Sequence, residues 1–248
     1  MILEDLAGCS LPSPDPDSDA MGIDPARLEE VVRRRIGGEP LQYLLGVAYF
    51  YRERYRVTPD CLIPRADTET LVDTAVRLLP RSGRFLDLCT GSGCVAISTL
   101  CARPDCTATA VELSEDALAI ARENAAALGV ADRLTLVHGD ALTYRPTAPF
   151  DAMLSNPPYI PDAVVPTLSA DVRQEPPMAL RGGEDGLDFY RAFCQSLPYY
   201  IYKEGFCALE IGYDQGQALE DLARRYGYTA TFVRDLGGHR RVCVLKIS

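Results

Sequence analysis

The chain has 248 residues, 47% of them apolar, enough for one large core and a small appendage. Its 25 Lys and Arg against 35 Asp and Glu leave a net charge of −10. That balance argues against a protein whose main task is gripping nucleic acid phosphates, and it leaves room only for a local basic patch.

The N-terminus, MILEDLAGCS, ends in a box that looks like a lipoprotein cleavage site. No basic or apolar region precedes it, and Glu4 and Asp5 stand where that region should be, so Cys9 reads as an ordinary residue. Residues 11–20, LPSPDPDSDA, read as a linker, and 1–23 are expected to be flexible. Asp24-Pro25 offers an N-cap and a first-turn proline for a helix through ARLEEVVRRRI, which stops at Gly37-Gly38. YFYRERYRV alternates about a polar centre and reads as a β-hairpin. Residues 24–65 are therefore expected to form a small helix-and-hairpin region.

From residue 66 the pattern changes. ADTETLVDTAVRLL carries Leu71, Val72, Ala75, Val76 and Leu79 at the spacing of one helical face. Then come the strand RFLDLCTG, the helix CVAISTLCA, the strand TATAVEL and the helix ALAIARENAAAL. LTLVHGD, FDAMLSN and FCALEIG are further strands, and QALEDLARRYG is a helix. The tail TATFVRDLGGHRRVCVLKIS holds two strands with no helix between them. The expectation is an α/β, Rossmann-like domain over 66–248, with a mostly parallel seven-stranded sheet closed by an antiparallel hairpin.

No stretch is long and apolar enough to span a bilayer. The nine Cys contain no C-x-x-C, and His138 and His239 do not fall at metal spacing. They read as small core residues in a reducing compartment, with no metal site. A cytoplasmic location is expected.

DLCTGSGCVAI lies between the first strand of the domain and its helix. Gly91 and Gly93 allow a sharp turn and close approach to a ligand, and the helix aims its N-terminal N–H groups at that ligand. Glu112 ends the next strand, where a carboxylate can accept from both hydroxyls of a ribose. Asp140 closes a third strand and can accept from an adenine amine, with Ala141 beside the ring. These residues describe a cleft for an adenosine-bearing ligand. A nicotinamide cofactor would fit the same pattern.

Asn156-Pro157-Pro158-Tyr159 closes the strand FDAMLSN and should open into the same crevice. The Asn156 side-chain oxygen and the Pro157 carbonyl are two acceptors on one stiff loop. They suit a planar NH2 group, which has two hydrogens, and Tyr159 can cover its flat face. A dehydrogenase needs no such clamp. A methyl transferase does, because its work is to hold a weak nitrogen nucleophile in line and exclude water. The clamp by itself does not distinguish glutamine from adenine.

These stretches resemble class I S-adenosylmethionine-dependent methyltransferases that act on amino groups. GEPLQYLLG, LIPRADTETLV and EPPMALRGGEDGL make the chain similar to release factor glutamine methyltransferases, from about residue 36 to the C-terminus. That family methylates the glutamine amide in the Gly-Gly-Gln loop of peptide chain release factors. The resemblance implies that S-adenosylmethionine is held by Cys89, Thr90, Gly91, Ser92, Gly93, Glu112, Asp140 and Ala141, with Asn156 alongside. It implies catalysis at Asn156, Pro157 and Tyr159, and substrate binding by Asn156 to Tyr159 and Arg65. The expected partner is a release factor, with no nucleic acid requirement and no membrane.

Two departures stand out. The cofactor loop has Cys89 where the family usually has Gly, which the loop tolerates if residue 89 needs no positive φ. The family usually carries a full helical N-terminal domain for docking, and here one clear helix is expected. Thr68 and Glu69 lie in the loop LIPRADTE and read equally as cleft residues or as a helix start. The rival readings are an adenine-N6 nucleic acid methyltransferase, a ribosomal-protein glutamine methyltransferase, a nicotinamide oxidoreductase and a binding module without activity. The charge of −10 and the lack of a base-reading segment weigh against the first. The stretch GEPLQYLLG favours release factors over the second. The clamp is unexplained by the third, and intact Glu112, Asp140 and Asn156 oppose the last.

Overall fold

The computed structural model describes residues 25–247, so the expected flexible N-terminus and the Asp24 cap lie outside the described residues. Helix α1 (Pro25–Ile36) ends in Arg33, Arg34 and Arg35, whose charges suit the C-terminal end of its dipole. A short helix, α2 (Leu41–Leu45), closes on Gly46 in the left-handed region, at φ 70°. The expected hairpin forms as β1 (Val47–Phe50) and β2 (Glu53–Arg56), antiparallel, with Phe50 opposite Glu53. Phe50 and Tyr55 pack into the main core, and the Tyr55 hydroxyl meets Ser98 Oγ at 2.6 Å.

A 3₁₀ turn (Ala66–Thr68) leads into α3 (Glu69–Leu78). The alternation then runs β3 (Arg84–Leu88), α4 (Cys94–Ala102), β4 (Thr107–Glu112), α5 (Glu115–Ala127), β5 (Leu134–His138) and β6 (Phe150–Ser155). After a long connection with a short helix, α6 (Pro177–Leu180), come α7 (Asp188–Tyr200), β7 (Ile201–Glu210), α8 (Gly216–Tyr226), β8 (Tyr228–Arg234) and β9 (Arg240–Ile247).

The seven strands lie in the order β5-β4-β3-β6-β7-β9-β8. All neighbouring pairs are parallel except those of β9, which runs antiparallel to β7 and β8. Both faces are covered, which is why the central strands are almost continuously apolar. One face buries Leu71, Val72 and Ala75 of α3 and Val95 and Leu100 of α4. The other buries Tyr190, Phe193 and Leu197 of α7 and Leu219 of α8. From β3 the chain builds outward to β4 and β5, then returns to add β6 on the other side. The carboxyl ends of β3, β4 and β6 therefore surround a topological switch point, the place where an open α/β sheet leaves a crevice.

Candidate functional site

The loop after β3 forms the floor of this crevice. The Thr90 hydroxyl donates to Asp87 Oδ2 at 2.5 Å, and the Thr90 N–H reaches the Val111 carbonyl at 3.2 Å. Asp87 is 1% exposed. Burial pushes its carboxyl up to about 7, against the pull of the Thr90 hydroxyl and the Ala96 N–H. Cys89 has φ +61°, so the condition set for its tolerance is not met. A side chain stands in the left-handed region, where a residue with a Cβ loses about 1–2 kcal/mol. Burial also raises the Cys89 thiol well above its ordinary value, so it stays protonated. A Cβ at Gly91 would meet nothing within 4 Å, so the loop faces open space there. Gly93 serves packing: a Cβ would lie 2.7 Å from Ile97 Cδ1 and 3.2 Å from Ala121 Cβ.

Glu112, at the end of β4, is anchored through both oxygens. Oε2 accepts the Gly91 N–H at 2.8 Å and Oε1 accepts the Ser114 N–H at 2.9 Å. Asp140 Oδ1 accepts the Leu142 N–H at 2.8 Å, which leaves Oδ2 for a ligand. Cys89, Gly91, Glu112, Asp140, Ala141 and Asn156 border one cleft of about 840 Å³. Val111, Ala117, Met178 and Phe189 supply apolar wall. A fixed carboxylate for a diol, a second for an amine, apolar flanks and the open space at Gly91 fit the adenosine part of S-adenosylmethionine.

Asn156 follows β6, whose last residue is tied down by Ser155 Oγ donating to the Leu88 carbonyl at 2.6 Å. The Asn156 Nδ2 donates to Thr68 Oγ1 at 3.2 Å. Its Oδ1 is thereby turned away from Thr68. Thr68 makes no side-chain cap to α3, and Glu69 accepts the Tyr51 N–H at 2.8 Å from the hairpin turn. Beyond Asn156 lies a second cavity of about 700 Å³, bordered by Arg65, Pro157, Tyr159, Ile160, Leu180 and Glu210. A smaller recess of about 360 Å³ brings Thr68, Thr90, Ser92 and Asn156 together. Asn156 and Leu62 border all three spaces.

The backbone of Pro158 to Ile160 is gripped by the stretch EPPMALRGGEDGL. The Ile160 N–H donates to the Leu180 carbonyl at 3.0 Å, and the Gly182 N–H to the Ile160 carbonyl at 2.8 Å. Gln215 Nε2 donates to the carbonyls of Tyr159 and Gly186, at 3.0 and 3.1 Å. Arg65 is on the cavity wall but pairs with Glu175, a 1% exposed carboxylate that also accepts the Ile63 N–H at 3.0 Å. Sequence reasoning missed Glu210, Phe189 and the Thr68 contact. Glu210 had a signal: it is the one acid in the apolar run FCALEIG, at a strand's carboxyl end.

Among the described residues, no group of three His, Cys, Asp or Glu could hold a metal ion, and no helix is long and apolar enough to cross a membrane. The cysteines described are free.

The fold, with its crevice at the switch point, is that of the class I methyltransferases. Residues 66–174 match the family described as methyltransferase small domain, and a solved methyltransferase from Pyrococcus furiosus shares the fold, with a TM-score of 0.60 at 16% identity over 89% of this chain and 98% of that one. Two curated relatives are named release factor glutamine methyltransferase. The one from Moorella thermoacetica is 46% identical over 203 residues, 81% of this chain and 72% of the relative. The one from Caulobacter vibrioides is 40% identical over 232 residues, 92% and 80% respectively. This chain belongs to the release factor glutamine methyltransferase family.

Proposed function

We propose that the protein transfers a methyl group from S-adenosylmethionine to the side-chain amide nitrogen of the glutamine in the Gly-Gly-Gln loop of a peptide chain release factor. The observation that carries this reading is the orientation of Asn156. Its amide nitrogen is committed to Thr68, so its Oδ1 is the acceptor available where the cofactor cleft meets the second cavity.

S-adenosylmethionine, when bound, supplies a methyl group already made electrophilic by its sulfonium. Glu112 holds the ribose hydroxyls and Asp140 the adenine amine, with Ala141 beside the ring. Cys89 to Gly93 form the loop under the cofactor. Asn156 Oδ1 and the Pro157 carbonyl accept the two N–H hydrogens of the substrate amide, and Tyr159 covers its plane. These contacts would hold the substrate nitrogen where the cofactor cleft meets the second cavity, and the surrounding side chains would exclude water. No strong base would be needed, because the amide would give up its proton only after gaining the methyl that the sulfonium releases. Residues 66–248 are the catalytic domain in this reading, and 24–65 are a reduced docking region. The place of action is the cytoplasm, where release factors work.

The test uses cofactor labelled in its methyl group, with an unmethylated release factor and unmethylated DNA as competing acceptors. Label is expected on the release factor alone; label on DNA adenine would replace this function with the nucleic acid one. Calorimetry should show S-adenosylmethionine preferred to NAD. Asn156→Ala should keep cofactor binding and lose turnover, and normal turnover in that variant would remove the acceptor role.

A further inference from the structure

The mechanism above leaves one buried group beside the clamp unused. The pairing of Ser155 with Leu209 sets Glu210 next to Asn156 across two strands. Glu210 is 1% exposed and borders the second cavity, and its Oε2 has no hydrogen-bond partner among the described residues. A buried carboxylate ordinarily pairs with a cation. Here the adjacent cation, Arg241 of β9, is engaged elsewhere, with Asp67 at 3.0 Å and Asp235 at 3.1 Å. The hydroxyls of Thr68 and Tyr159 lie near enough to Glu210 to hold its carboxyl down, while Oε2 itself is left unpaired. Thr68 is itself 1% exposed, and its oxygen is the one that receives the Asn156 N–H.

We propose that Thr68 and Glu210 are positioning residues that set which way round the Asn156 carboxamide stands, and so decide whether an acceptor faces the substrate nitrogen. This rests on the proposed transfer at Asn156. A hydroxyl has one hydrogen and two lone pairs. With Glu210 ionised, the Thr68 hydrogen is drawn to the carboxylate, and Thr68 offers Asn156 only lone pairs. Asn156 must then turn its N–H to Thr68 and its Oδ1 to the cavity. With Glu210 protonated, the acid can donate to Thr68 instead. The Thr68 hydrogen is then free to point at Asn156, and the amide can reverse. Reversed, it presents an NH2 group to an NH2 group, and the two-acceptor clamp is gone.

Burial pushes the Glu210 carboxyl up to about 7, with Asp67 adding to the rise and Thr68, Arg241 and Tyr159 opposing it. Two further titratable groups are near. Tyr190 of α7 donates its hydroxyl to the Glu210 carbonyl at 2.9 Å, and Cys94 opens α4. Both have raised values and stay neutral. Arg65 borders the same cavity and is paired with Glu175. Turnover should therefore fall as the pH drops through about 7. Asp87 is also pushed to about 7, but it lies under the cofactor loop. Saturating cofactor separates the two.

The experiment measures kcat for the full chain between about pH 5.5 and about pH 9, with saturating S-adenosylmethionine and an unmethylated recombinant release factor. The wild type should lose activity as the pH falls below the midpoint, levelling off at about a tenfold loss. Glu210→Gln should flatten that limb and lower kcat at about pH 8 roughly tenfold. Thr68→Val should lower kcat by a similar factor with cofactor affinity unchanged, and Thr68→Ser should restore it. A Glu210→Gln variant with the wild-type acid limb, or Thr68→Val with wild-type kcat, overturns the proposal. If Thr68→Val fails to fold, the Glu210→Gln profile decides alone. A wild type that labels no release factor even at about pH 8 overturns the function itself, an outcome distinct from an unchanged acid limb.

Discussion

Gly182→Ala should damage the clamp without touching a functional side chain. A Cβ at Gly182 would lie 2.8 Å from Tyr159 Cα and 2.9 Å from both the Pro158 carbonyl oxygen and Gly186 Cα. Carbon atoms in contact prefer about 3.5–4.0 Å, so one backbone must move by about 0.7 Å. Gly182 cannot easily withdraw, because its N–H is bonded to the Ile160 carbonyl and Leu180 holds the Ile160 N–H. The displacement falls on Pro158 and Tyr159. Overpacking of this kind costs about 1–3 kcal/mol, which lowers Tm by roughly 2–12 °C in a chain of this size. A shift approaching 1 Å in a positioned reacting group costs up to about a hundredfold in rate. Differential scanning calorimetry and single-turnover methyl transfer at saturating cofactor would measure both. Cofactor affinity should stay near wild type, since the Glu112 and Asp140 anchors are untouched. At an unstrained glycine the same change stabilises by about 0.4–1 kcal/mol. An unchanged or raised Tm with wild-type turnover would therefore refute the proposed packing of this stretch on the clamp.

Two further perturbations address the cofactor loop. Because Cys89 sits at φ +61°, Cys89→Gly should be more stable than Cys89→Ala by about 1 kcal/mol, the reverse of the usual order, in urea denaturation. Equal stabilities would mean that residue 89 is not held in the left-handed region. Asp87 has a raised folded-state value, so the stability it contributes is full below about 4 and lost as the pH rises through about 7. Asp87→Asn keeps an acceptor for Thr90 and removes this dependence. Relative to wild type it should gain up to a few kcal/mol between about pH 5 and about pH 8, and a constant difference would contradict the burial of that charge.

Much of the fold was legible because the strands announce themselves twice, by apolar runs and by the turn residues that end them. The cofactor loop, Glu112, Asp140 and Asn156 all lie at strand ends, where an apolar run gives way to polar and turn residues. Helix α7 was harder to read. Its apolar face, Tyr190, Phe193, Leu197 and Tyr200, has helical spacing, but Pro198 lies inside it. The conformation of residue 89 was hidden for a different reason: a Cys gives no hint of the positive φ that a Gly there would advertise. Thr68 and Glu210 are 142 residues apart, by their numbering, and come near each other because the helix that follows Thr68 packs on β6 and β7. Neither periodicity nor local spacing carries such a contact.

The stretches that mark the family prove to be one mechanical unit. From LIPRADTE, Thr68 receives the Asn156 amide, while Ile63 and Arg65 are held by Glu175. From EPPMALRGGEDGL come Glu175 itself and the glycines that let a second loop lie against Pro158 and Tyr159. The amide clamp is thus fixed from both flanks, and the same flanks wall the cavity beyond it, through Leu62 and Arg65 on one side and Ala179 and Leu180 on the other. In the proposed reaction the clamp specifies an NH2 group and nothing more, since glutamine and adenine both present one. The part of the acceptor molecule attached to that group must occupy the space the flanks enclose. On the proposed function, choice of substrate would reside in those walls, and exchanging them should alter which molecule is methylated while leaving the proposed chemistry at Asn156 intact.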